Sequence, residues 1–250
     1  MEKNSKKFEL QQLPFCFEPQ NLMRREDFMV SSCNAEAFKM IDVWPNWWSQ
    51  GLVIYGPRGC GKSHLAHLFV EKVKSLSAKP LAVGIYDAKQ INMRCVKRIA
   101  EENQSIVIEN LSANVHAEAL FHLFNLFNVD GKYMLWTAET APSRMKFKLN
   151  DLQSRLNMLP SVEIFEPDDV MLQTLIVKLC ADRQLAISPE ILNYIVANAR
   201  RSFAYIRDLI EEIDAISLAK QSAINYAVVK SAMEILQQKE DKQPDLFDEW

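Results

Sequence analysis

The chain has 250 residues, 48% of them apolar, and a formal net charge of −3. That length and apolar content suit one large domain, or a medium one with a small companion, around a sizeable core. The slightly acidic balance argues against a stand-alone nucleic-acid binder, while local basic patches remain compatible with it.

Residues 1–10 are polar and charged and read as a mobile tail. Gln11-Gln12-Leu13-Pro14-Phe15-Cys16-Phe17 follows, an apolar patch too short and too proline-marked for a helix. Phe28-Met29-Val30 and Asn34 precede a predicted helix over 35–44, stopped by Pro45. Trp44, Trp47 and Trp48 cluster after it and are expected to pack. Leu52 to Tyr55 reads as a buried strand. It feeds Gly56-Pro57-Arg58-Gly59-Cys60-Gly61-Lys62-Ser63, which fits G-x-x-x-x-G-K-[ST] at every fixed position. A helix-forming run opens at His64, so the motif has its strand–loop–helix context. Four of the six glycines in the chain (Gly51, Gly56, Gly59, Gly61) fall in this stretch.

Further strands are predicted at 81–86, 105–110, 132–137 and 161–165. Helical patterns lie between them, notably over 115–128, where Leu120, Leu123, Phe124 and Phe127 recur at helical spacing. Strands alternating with helices imply an α/β fold with a parallel sheet covered on both faces. From Glu166 only helices are expected. Asp168 or Asp169 caps one running to about 184; Ser188 with Pro189 opens a second to about 199. Ser202 caps a longer third, and Asn225 a last one to about 236. Residues 237–243 are polar and expected to be disordered, ahead of Gln243-Pro244-Asp245-Leu246-Phe247. The expected organisation is thus a tail (1–20), an α/β domain (21–166), a helical module (167–236) and a second tail (237–250). The five cysteines are scattered, without C-x-x-C spacing, and read as free thiols in a reducing compartment. With neither a signal-length apolar segment nor a bilayer-spanning run, the expectation is a cytoplasmic protein without a membrane partner.

The chemistry of the glycine-rich loop follows from its backbone. Glycines let successive N–H groups turn onto phosphate oxygens, and the helix N-terminus adds partial positive charge. Gly56, Pro57, Arg58, Gly59, Cys60, Gly61, Lys62, Ser63 and His64 are therefore the candidate nucleotide-binding set. Lys62 would reach the β/γ-phosphates and Ser63 would ligate Mg²⁺, for a bound ADP or ATP. Ile106-Val107-Ile108-Glu109 is an apolar strand ending in an acid, placing Glu109 to hold the metal or its water. Thr137, at the end of the fourth strand, can point a hydroxyl at the γ-phosphate. Arg155 and Arg207, in isolation, read as solvated charges.

Together these residues resemble the DnaA-related AAA+ group, and within it the Hda-like branch of regulators that inactivate the replication initiator DnaA. The likeness runs from Gln12 to about Leu236. It rests on Asn34-Ala35-Glu36-Ala37, Trp44-Pro45-Asn46-Trp47, the loop from Gly56 to Ala66, Leu152-Gln153-Ser154-Arg155-Leu156, and Arg201-Ser202-Phe203-Ala204-Tyr205-Ile206-Arg207. The resemblance implies a P-loop AAA+ module: a five-stranded parallel sheet with a small all-helical lid. Arg155 corresponds to the arginine finger acting in trans on DnaA, Arg207 to the sensor-2 arginine, and Thr137 lies in the sensor-1 region. Where hydrolysing relatives carry a second acid after Glu109, this chain has Asn110, so weak or no ATPase of its own is expected. Gln12, Leu13, Phe15 and Phe17 resemble the peptide that docks on the sliding clamp, the β subunit of DNA polymerase III. Gln243, Leu246 and Phe247 form a second such pattern. DNA would be reached indirectly through the clamp, and self-association stays open. The competing readings are an initiator or helicase loader, a clamp-tethered adaptor without a role in hydrolysis, and a small-molecule P-loop kinase.

Overall fold

The structure is a computed structural model and describes Arg25, residues 28–75 and residues 82–242. Five parallel strands, β1 (Gly51–Tyr55), β2 (Val83–Asp87), β3 (Ser105–Leu111), β4 (Tyr133–Ala138) and β5 (Ser161–Glu163), lie in the order β2-β3-β4-β1-β5. The expected α/β architecture is present. Side chains alternate across this sheet with period two. On one face, Leu52, Ile54, Val107 and Leu135 join Ile41 from α1 (Ala35–Val43) and Leu65 and Phe69 from α2 (Lys62–Ser75). On the other, Val53, Ile106, Ile108, Met134 and Trp136 meet α3 (Met93–Glu102), α4 (Ala117–Val129) and α5 (Asn150–Asn157). A strand buried on both faces has no polar side, so these strands read in the sequence as continuous apolar runs.

The helix leaving β1 covers one face, and those leaving β2, β3 and β4 cover the other. The connection therefore switches sides between β1 and β4, and a crevice opens there at the carboxyl ends of the strands. After the sheet in chain order, α6 (Asp169–Asp182), α7 (Pro189–Asn198), α8 (Phe203–Lys220) and α9 (Tyr226–Lys242) bury a separate core around Leu172, Ile195, Leu209, Ile213 and Val229.

The caps follow the sequence. Asp168 Oδ1 accepts from Met171 N–H at 2.8 Å, Ser188 Oγ from Ile191 N–H and Ser202 Oγ from Tyr205 N–H. Asp168→Ala should lower stability by about 1 kcal/mol, the usual worth of a lost N-cap acceptor, read as a shift in the urea midpoint at constant slope.

Three expectations need correction. The polar run 237–243 does not leave the fold after 236: α9 continues to Lys242. Gln, Lys and Glu are good helix formers, and Lys239 pairs with Glu212 on α8, so the helix is held past its last apolar residue. Trp44 and Trp47 pack on Phe69 and Tyr133, but Trp48 is 74% exposed. The fifth strand ends two residues early because Phe165 N–H turns to Cys33 O at 3.0 Å, off the ladder. No helix among the described residues is long and apolar enough to cross a membrane. The peptides Gln12, Leu13, Phe15, Phe17 and Gln243, Leu246, Phe247 lie outside the described residues.

Candidate nucleotide-binding site

The crevice at the switch between β1 and β4 is a cavity of about 970 Å³. Its floor is the loop between β1 and α2. Gly59 (φ 71°) and Gly61 (φ 103°) adopt left-handed backbone, which side chains with a Cβ rarely enter. At Gly59 space is also lacking, since a Cβ would sit 2.0 Å from Ser202 Oγ. The helical module therefore touches the loop directly. Phe203 N–H, at the start of α8, donates to Gly59 O at 2.9 Å.

Among the described residues, six basic side chains line the cavity, Arg58, Lys62, Lys89, Arg144, Lys146 and Arg207, against two acids, Asp87 and Glu139. This excess, together with the start of α2, suits a polyanion. Lys62 Nζ donates to Gly56 O and Pro57 O, each at 2.7 Å, and so stands at the centre of the loop. Arg58 pairs with Glu139 across the cavity mouth at 2.5 Å. Ser63 and His64 line the wall, with His64 edge-on to Phe28 at 5.0 Å. Cys60 differs from its neighbours in the loop. It is 1% exposed, burial pushes its thiol up from the ordinary range, and it is not among the lining residues.

Arg207, one turn into α8, lines the cavity. Its neighbour Asp208 is pushed up by burial and by Glu211, with Arg207 acting in the opposite direction. Arg155 lies elsewhere. Leu152 and Leu156, both fully buried, pin one side of α5, and Arg155 is exposed and outside the cavity lining.

Glu109 and Thr137 are not among the lining side chains but stand on the two strands next to the cavity. A β-bulge lies between these strands: Ile108 pairs with Trp136 but Leu111 with Ala138, three steps on β3 against two on β4. The extra residue is placed at Asn110, in left-handed conformation (φ 58°), which Asn tolerates. Asn110 N–H faces Thr137 Oγ1 at 3.4 Å, and Thr137 is 2% exposed. Thr137 Oγ1 thus accepts from the bulge, and Glu139 and Thr140 line the cavity beyond it. Glu109 Oε1 is buried with no hydrogen-bond partner among the described residues. An orphaned carboxylate oxygen at a strand end fits a Mg²⁺ ion or its water. With Ser63 on the wall and a cationic lining, the residues present fit a magnesium nucleotide.

Several lining residues escaped the sequence reading. Phe28 stacks on Phe38 (5.5 Å, 8°) and, with Met29, Leu175 and Phe203, gives the cavity an apolar end suited to a base. Asn34, 2% exposed, ties that loop together: it accepts from Ser31 N–H and donates to Met29 O, both at 2.9 Å. The signal available was an aromatic and a buried-type Asn just upstream of a helix, which is weak. Asp87, at the end of β2, required the strand order.

No protein-family model matches the chain. The fold is a five-stranded parallel α/β sheet with a glycine-rich loop after β1 and a helical module. Its likeness is to the DnaA type: domain III of the Thermotoga maritima replication initiation protein DnaA superposes with a TM-score of 0.75 at 16% identity, over 86% of this chain and 97% of that one. AMPPCP-bound DnaA from Aquifex aeolicus superposes with a TM-score of 0.66 at 19% identity, over 90% of this chain and 71% of that one. In sequence, the chromosomal replication initiator protein DnaA of Flavobacterium psychrophilum is 26% identical over 189 residues, 70% of this chain. The chain spans 38% of that relative's length.

Proposed function

We propose that this chain is an adenine-nucleotide-binding AAA+ regulator of chromosomal replication initiation, of the Hda-like kind. The sliding clamp recruits it, and it stimulates hydrolysis of DnaA-bound ATP in trans. One observation carries the reading beyond nucleotide binding. Arg207 faces the chain's own cavity, whereas Arg155 stands exposed on a well-anchored helix away from it. A guanidinium so placed serves another molecule's site, where it stabilises charge on a transferring phosphoryl group. The similarity to DnaA supports a partner of the same fold.

Within the chain, Lys62 and the loop N–H groups hold phosphates, Ser63 and Glu109 hold Mg²⁺, and the Phe28–Met29 end takes the base. A bound Mg²⁺ supplies charge neutralisation across the phosphates. Gln12, Leu13, Phe15 and Phe17 engage the clamp, and where Gln243, Leu246 and Phe247 engage it as well, the two attachments add by effective concentration.

The test is conversion of labelled ATP prebound to DnaA, with DNA-loaded clamp present. Adding the chain should accelerate conversion, and deleting residues 12–17 should remove both the acceleration and clamp retention. Retention without acceleration would favour the adaptor reading, which Asn110 in the second acidic position supports. Acceleration that ignores the clamp, or binding to DNA or a helicase instead, would favour an initiator or loader.

A further inference from the structure

Asp87 is the one carboxylate on the cavity wall that no assigned role has used, since Glu139 is paired with Arg58. It ends β2, in register with Glu109 on the adjacent strand, one strand spacing of about 4.8 Å away. Its Oδ2 accepts from Asn110 Nδ2 at 2.6 Å, and its Oδ1 from Lys89 N–H at 2.9 Å. Each oxygen retains a second lone pair. The β-bulge turns Asn110 out of the strand and onto this carboxylate. An amide in the second acidic position cannot accept a proton, but it can donate a hydrogen bond and fix a carboxylate beside it.

Resting on the reading that the cavity holds a nucleoside triphosphate, we propose that Asp87 is the carboxylate that polarises water for this chain's own slow hydrolysis, with Asn110 as its positioning residue. The water oxygen bonds to the terminal phosphorus while the bond from that phosphorus to the bridging oxygen breaks. The bridging electron pair leaves with the β-phosphate, giving a diphosphate, and the water's proton passes to Asp87. Asp87 also serves as cap of the 3-10 turn Ala88–Gln90. Asn at this position keeps that acceptor and the side-chain volume, so Asp87→Asn separates the chemical role from the structural one.

The experiment uses the full chain, with ATP for single-turnover hydrolysis and with AMPPCP and ADP for binding. Wild type is expected to hydrolyse ATP slowly. Asp87→Asn should slow it by about 10²-fold or more, the lower range for a general base. It should also raise affinity for AMPPCP relative to ADP several-fold, because a negative charge beside the terminal phosphate is removed. Asn110→Ala should lower the single-turnover hydrolysis rate while leaving affinity for AMPPCP and ADP unchanged, a split that a loss of the fold would not give. Hydrolysis by Asp87→Asn at the wild-type rate overturns the proposal. So does a wild-type chain that binds AMPPCP but hydrolyses no ATP, in which case the nucleotide reading stands. Failure of the wild type to bind either nucleotide overturns that reading itself, and the proposal with it.

Discussion

Arg155→Ala in place of the wild-type chain is expected to cut conversion of DnaA-bound ATP by about 10³–10⁵-fold, the usual worth of an arginine finger supplied in trans. The substitution leaves α5 standing. Leu152 and Leu156 are fully buried and carry the helix, while Arg155 is on its exposed side and Ala is the best helix former. Clamp retention should therefore be unchanged, which separates loss of chemistry from loss of recruitment. Arg155→Lys should behave nearly as badly, since Lys keeps the charge but not the planar, forked donors that grip a phosphoryl group. Equal conversion by the Ala form would remove Arg155 from the mechanism and leave a nucleotide-bound adaptor.

A second large effect is expected at Lys62. Its amine makes two 2.7 Å hydrogen bonds to loop carbonyls and stands among the cationic lining. Lys62→Ala removes a charge-assisted contact worth about 1.5–3 kcal/mol, or about tenfold to 150-fold in affinity for ADP or ATP by titration. The loop should survive, since its left-handed turns at Gly59 and Gly61 and the contact to Phe203 do not involve the amine. Unchanged affinity would mean that the Lys62 amine makes no net contact with the phosphates.

The parts of this molecule that were readable in advance are those written locally. A strand buried on both faces shows as an apolar run, a cap as Ser or Asp before helical spacing, and the phosphate loop as glycines at fixed offsets. Arg207 could be placed in the cavity only through resemblance, because its approach depends on how α8 meets Gly59. The setting of Thr137 was hidden for a related reason. Its position at the end of β4 was right, but one extra residue in β3 brought a backbone N–H to its hydroxyl. Asp87 was invisible, since nothing in the sequence says that β2 lies beside β3 with Asp87 across from Glu109. The reach of α9 was misjudged because apolar periodicity stops at Leu236, whereas helix propensity and the ion pair to Glu212 do not.

The hydrogen bond from Phe203 N–H to Gly59 O has a consequence for exchange of the ligand. Binding free energies are reciprocal: if phosphates reshape the loop and loosen its hold on α8, then pulling α8 away must change the grip on phosphates by the same factor. The four helices that follow the sheet thereby form a handle. A partner that seizes them from outside can eject or lock in a nucleotide without entering the cavity, and the occupancy of the cavity can in turn decide which partners find that handle in reach.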